Sequence, residues 1–332
     1  MGPINRATTI QRMSFQSIRG QERPISLLQS YIVGARLEGG YLFSGPDGIG
    51  KQMAARNVAK LVNCLQEEAS DACGQCPSCK KIDSNQHPDV HIIASDGGEI
   101  KIESIRQLQR EISLRPYEGR KKVFILDDAH RLNSESSNAL LKVLEEPPRD
   151  SIIVLISDKP NLIFKTIISR CKIIKFAPMK RLTLEEILKK DFLIDGSTAH
   201  FLAYFCEGRL GKALRLKDSA VFQDKNKVID SFVFSPRLNL EKIGFKDKAA
   251  LRGSLNILAA WFRDVYLLKT GMPQAEMINF DRWEDLSKQA SRYSYQELTQ
   301  ILGFIPQAIN YLERNINTKL LLYYLGEQLW KA

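Results

Sequence analysis

The sequence predicts an α/β domain with a mainly parallel sheet, followed by an all-helical C-terminal half. Three observations carry that prediction. The apolar runs Val123–Leu126 and Ile152–Ile156 show no alternation, as strands buried on both faces of a parallel sheet require. Strand-like and helix-periodic segments alternate up to about residue 177, which is the pattern of βα units. Beyond Pro178 almost every segment is helix-periodic, and all three Trp residues fall there.

The elements follow in order. Ser26–Leu37 places Leu27, Leu28, Tyr31, Ile32 and Ala35 at helical spacing, and Tyr41–Phe43 reads as a strand. Gln52–Leu65 is helical, with Ala55, Val58, Ala59 and Val62 on one face. Val90–Ala94 is a strand, Ile102–Ser113 a helix stopped before Pro116, and Ser134–Leu144 a helix ended by Pro147-Pro148. Lys172–Phe176 closes the α/β pattern. The expected divisions are 1–177, with a cysteine-rich insertion at 64–79, then a small helical unit at 178–218 and a helical bundle at 219–332. Leu255, Leu258, Ala259, Phe262 and Tyr266 form one core face of that bundle.

Composition narrows the function classes. The 332 residues are 44% hydrophobic and 26% charged, which excludes a mainly disordered chain. No apolar stretch has the ~20 residues of a membrane span, and Met1–Arg12 lacks a signal peptide's apolar centre, so the expected location is cytoplasmic and away from membranes. The net charge of +10 favours a polyanionic partner, although no basic run is interleaved with aromatics as a base-stacking platform would be.

Gly45-Pro46-Asp47-Gly48-Ile49-Gly50-Lys51 fits the phosphate-loop pattern and lies between a strand and a helix, as that motif must. Gly45, Gly48 and Gly50 let backbone N–H groups approach phosphate oxygens, and Lys51 reaches the outer ones. The hydroxyl that ligates magnesium is missing, because Gln52 stands in its place. Asp127 ends an apolar strand where a magnesium-holding Asp belongs, and Asp128 follows where a longer Glu would polarise water. ATP hydrolysis is therefore not expected, and binding of ATP or ADP is not implied by so reduced a motif.

Four of the six cysteines, Cys64, Cys73, Cys76 and Cys79, lie within 16 residues. In a reducing compartment four thiolates at this spacing indicate a structural zinc site. A redox-active CxxC, or His87 replacing one cysteine, are the alternatives. Ser169-Arg170-Cys171 precedes the last strand, and by itself Arg170 reads as a solvated surface residue.

Gly20-Gln21-Glu22, the loop 42–51, the cysteine insertion, His87-Pro88-Asp89, the segment Asn138–Pro148 and Ser169-Arg170-Cys171 together resemble the bacterial clamp-loader subunits of DNA polymerase III, which are AAA+ proteins. The likeness runs from about residue 14 to 177 and continues more loosely through Asn315-Ile316-Asn317 and Leu320–Leu322. It implies a RecA-like AAA+ domain, a helical lid and a C-terminal collar. The implied assembly is a hetero-pentamer with gamma/tau and delta subunits that loads the sliding clamp onto primed DNA. Arg170 would act as a finger in trans on a neighbour's ATP site. Active members carry an Arg where this chain has Gly211, and Arg209 lies two positions away. With Gln52, that departure implies the delta prime kind, which has lost catalysis. A gamma/tau-type ATPase, and a stand-alone DNA-binding protein with a vestigial loop, are the alternatives.

Overall fold

A computed structural model describes residues 14–34, 37–66, 71–95, 98–235, 248–314 and 316–330. The chain divides into two compact units, Met1–Met179 and Lys180–Ala332. Ala35 and Asn315, used in the sequence argument, lie outside the described residues.

The first unit begins with α1 (Glu22–Val33), then β1 (Gly39–Ser44), α2 (Lys51–Asn63), α3 (Pro77–Asp83), β2 (Val90–Ile93) and α4 (Ile102–Ile112). It continues through β3 (Lys122–Leu126), α5 (Ser134–Glu145), β4 (Ser151–Ser157), α6 (Lys165–Ile168) and β5 (Cys171–Lys175). The strands form one sheet in the order β2-β3-β4-β1-β5, with every pairing parallel. Period-two geometry divides each central strand between two cores. Ile152, Val154 and Ile156 of β4 pack with Val58 and Ala59 of α2 in one core. Ile153 and Leu155 pack in the other, with Leu108 of α4 and Leu140 of α5. Both faces are therefore covered, which is why these strands read as unbroken apolar runs.

One boundary differs from expectation. The first helix starts at Glu22, so Pro24, Ile25 and Leu28 face inward and Leu27 is exposed. Within the cysteine insertion, Cys76 caps helix α3, which begins at Pro77. Proline suits the first helical position because its missing N–H would be unpaired there anyway.

The second unit comprises α7 (Arg181–Lys190), α8 (Gly196–Phe205), α9 (Leu210–Lys217), α10 (Ala220–Gln223) and α11 (Lys225–Ile229). A π-helical turn at Asp230–Phe234 follows, then α12 (Lys248–Lys269), α13 (Trp283–Arg292), α14 (Tyr295–Glu313) and α15 (Thr318–Trp330). α12 is the spine: Leu251, Leu255, Leu258, Trp261, Phe262 and Val265 are buried in one apolar cluster, with Ala259 and Tyr266 packed at its margin. Asp195 caps α8, and Ser294 with Glu297 forms a capping box on α14. His200 of α8 bonds Glu185 of α7 through Nδ1 and the Met277 carbonyl through Nε2. Among the described residues no helix is long and apolar enough to cross a membrane.

Candidate functional site

In a parallel sheet, residues just beyond the carboxyl ends of neighbouring strands converge, and ligands bind there. The loop after β1 and the Asp pair after β3 both lie at that end. Gly45 has φ 148°, and a Cβ there would sit 2.3 Å from the Phe176 carbonyl oxygen, so only glycine fits. Gly50, at φ 100°, is the left-handed residue that opens α2.

Lys51 is buried, and its Nζ donates to the carbonyls of Gly45 at 2.6 Å and Pro46 at 2.7 Å. Burial lowers its pKa, while Asp47, Asp158, Asp127 and Asp128 act in the opposite sense. The ammonium is thus anchored to its own loop. Gln52 donates from Nε2 to Asp127 Oδ2 at 3.1 Å. The other Asp127 oxygen accepts the N–H of Asp128 at 3.1 Å. Burial raises the Asp127 pKa, and the like charge of Asp128 adds to that. An amide N–H therefore partners this carboxylate. The loop thus lacks the hydroxyl after Lys51, and Asp127 is engaged by Gln52. Asp128 adopts a left-handed conformation (φ 52°) and lies 3.5 Å from Arg131 Nε.

Arg170 is not part of this pocket. It immediately precedes β5, and Cys171 pairs with Gly40 at the start of β1, whereas Lys51 lies past the end of β1. A strand rises about 3.3 Å per residue, so the length of the sheet separates Arg170 from Lys51. Its Nη2 meets Glu145 Oε1 at 2.7 Å and its Nη1 donates to the Thr166 carbonyl at 3.0 Å, with the side chain 35% exposed. The expected solvated arginine is instead half-held by the end of α5. Burial pushes the neighbouring Cys171 thiol up to about 12.

The four cysteines do converge. Their sulfurs all lie within 4.8 Å of one another, and Cys79 Sγ is 3.9 Å from both Cys73 Sγ and Cys64 Sγ. Four sulfurs at ~2.3 Å around one tetrahedral ion stand about 3.8 Å apart, so the group could hold a metal ion with little adjustment. Backbone N–H groups of Gln75 and Cys76 point at Cys73 Sγ, and that of Cys79 at Cys76 Sγ. Burial pushes the Cys64 and Cys79 thiols up. At Cys73 the same effect is outweighed by the N–H donors, which bring it down to about 6. His87 is not a member of this cluster: its Nδ1 accepts the N–H of Asp89.

Sequence reasoning missed two buried anchors. Asp89 receives the N–H groups of Tyr117, Glu118 and Gly119 at 2.7–2.9 Å. Asn63 Oδ1 accepts those of Arg120 and Lys121. Together they pin the turn leading into β3. The signal for Asp89 was the motif His87-Pro88-Asp89, but its partners lie about thirty positions on. In the second unit Gly211 falls in the first turn of α9, and Arg209 is turned to the Cys206 carbonyl and Glu207.

The family model described as DNA polymerase III, delta subunit, matches residues 20–180, and that of its C-terminal region matches residues 222–325. DNA polymerase III subunit delta' of Bacillus subtilis is 31% identical over 316 residues, covering 92% of this chain and 94% of the relative. The chain belongs to the DNA polymerase III delta' family of clamp-loader subunits. Subunit tau of the same organism is 30% identical, and the match covers 87% of this chain but 57% of that longer one. A gamma subunit-related protein of Thermotoga maritima has a similar structure at 19% identity and TM-score 0.47, covering 93% of this chain and 99% of its own. The chain thus combines a parallel α/β sheet that carries a phosphate-loop motif after β1 with a helical C-terminal region.

Proposed function

We propose that this chain is a non-hydrolysing subunit of the DNA polymerase III clamp loader, helping to place a sliding clamp on primed DNA. In this reading residues 178–218 are a lid and 219–332 a collar that assembles with gamma/tau and delta subunits into a hetero-pentamer. The observation that carries the loss of catalysis is the bond from Gln52 to Asp127, which engages the carboxylate a magnesium ion would need. Gly211, in the lid position where active relatives carry a nucleotide-sensing Arg, agrees with it.

Arg170 would serve a neighbouring subunit. Its place at the opposite end of the sheet from Lys51 supports action in trans, since it is too far from this chain's own loop to act there. A guanidinium delivered to a partner's ATP would stabilise charge on the transferring phosphoryl group. The four cysteines would hold one structural zinc, a closed site with no open position and hence no catalytic role. The test is ATPase assay of the reconstituted assembly. The complex should turn over ATP in a manner dependent on Arg170 and independent of Lys51 of this chain. Dependence on Lys51 would overturn the reading.

A further inference from the structure

We infer that the four-cysteine cluster holds the N-terminal segment against the entrance of α2, with Asp71 as the connecting residue, so that metal loading sets the order of that segment. The inference rests on the structural-zinc reading and extends it to what the cysteine module does. Asp71 stands two positions before Cys73. Its Oδ1 accepts the N–H of Phe15 at 3.0 Å and that of Ala72 at 2.8 Å, and its Oδ2 accepts the N–H of Gln16 at 3.3 Å. Phe15 and Gln16 open a single 3-10 turn, Phe15–Ser17, and the first N–H groups of a helical turn have no acceptor within it. A carboxylate 56 positions along the chain therefore caps the turn. From that cap the segment reaches the phosphate loop. Phe15 and Ile18 are buried in the same apolar core as Ile49, and a Cβ added at Gly50 would stand 3.0 Å from Ile18 Cγ2. Ile18 thus lies against the residue that opens α2.

The other end of the connection is fixed by sulfur. Ala72, between Asp71 and Cys73, is buried with Cys64 and Cys79. An ion that draws the four sulfurs together therefore also sets where Asp71 stands, since metal binding and local folding are one equilibrium. The two helices of the module have ties that need no metal. Lys60 of α2 is fully buried and pairs with Asp83 of α3, and Arg56 Nη1 donates to Asn85 Oδ1 at 2.7 Å. Asp71 takes no part in these ties. It belongs to the stretch between Cys64 and α3, whose course depends on the cysteines it carries. Loss of the metal should then free the N-terminal turn while α3 stays docked on α2, a local opening and not a global one.

The test is amide hydrogen exchange of the full chain, with zinc content measured on the same samples. Removing the metal with a chelator under reducing conditions should speed exchange at Phe15 and Gln16 by about tenfold or more, as loss of a hydrogen bond to a charged group implies. Ser84, whose N–H bonds the Lys80 carbonyl at the end of α3, should change by no more than about threefold. Asp71→Ala should reproduce the faster exchange at Phe15 and Gln16 with zinc content unchanged. Asp71→Asn, which keeps one acceptor oxygen, should give a smaller effect in the same direction. Thr198, held in the same way by Asp195 in the second unit, is the control that should not move. If Asp71→Ala fails to fold, Asp71→Asn and the chelated native chain still decide the matter. A chain that binds no metal would remove the zinc reading and this inference together. Bound zinc with Phe15 and Gln16 indifferent to its removal or to the Asp71 variants, or Ser84 released as fully as Phe15, would overturn this inference alone.

Discussion

Gln52 donates its side-chain amide to Asp127 across 3.1 Å, joining the first turn of α2 to the end of β3. In the proposed non-hydrolysing reading this bond takes the place of an ion-mediated link. The purified chain should therefore release phosphate from ATP only at background rate, with or without primed DNA. Lys51→Ala should leave that rate unchanged in a phosphate-release assay, and steady turnover abolished by the substitution would contradict the reading.

The pair Arg170–Glu145 separates stability from function. The contact is half-exposed, so Arg170→Ala should lower stability by no more than about 1 kcal/mol in denaturant titration. In the reconstituted assembly the same substitution should lower ATP turnover by ~10³ or more, the range of a trans-acting finger. Unchanged turnover would remove Arg170 from that role.

Metal analysis of protein purified without chelator should find about one zinc per chain. Cys79→Ser, at a fully buried position of the cluster, should abolish it and lower Tm, while Cys206→Ser should leave the zinc content unchanged. A Cys73–Cys76 or Cys76–Cys79 disulfide without metal, detected by mass spectrometry, would refute the site.

Asp89 predicts a pH dependence. Burial would raise its pKa, but the three N–H donors from Tyr117, Glu118 and Gly119 outweigh that and hold the carboxyl below its ordinary 3.8. A folded-state value below the unfolded one means the contribution is present above about pH 4 and is lost as pH falls through the folded value. Asp89→Asn should cost about 2 kcal/mol at neutral pH, since an amide cannot accept all three bonds. Its stability should then fall less steeply in acid than that of the native chain, as followed by circular dichroism. An unchanged acid limb would show that Asp89 is not the titrating anchor.

What the order of residues determined by itself was everything carried by local spacing. Unbroken apolar runs marked strands buried on both faces, glycines marked the phosphate loop, and four cysteines within 16 residues marked a cluster that the fold does bring together and that could hold a metal ion. Each signal lies within one turn, one strand or one short loop, where covalent geometry limits the outcomes. Even there the first helix began earlier than its apolar spacing suggested, because Pro24 and Ile25 supply its buried face. The tertiary structure decided which distant residues meet. Gln52 finds Asp127, Asp89 finds the turn at 117–119, and His130 finds Asp158 because β3 lies between β2 and β4. Arg170 lies away from Lys51 because parallel strands begin at one end of the sheet and finish at the other. Strand order and direction are set by how the two apolar faces pack against their helices, a property of the whole sheet that no single segment contains.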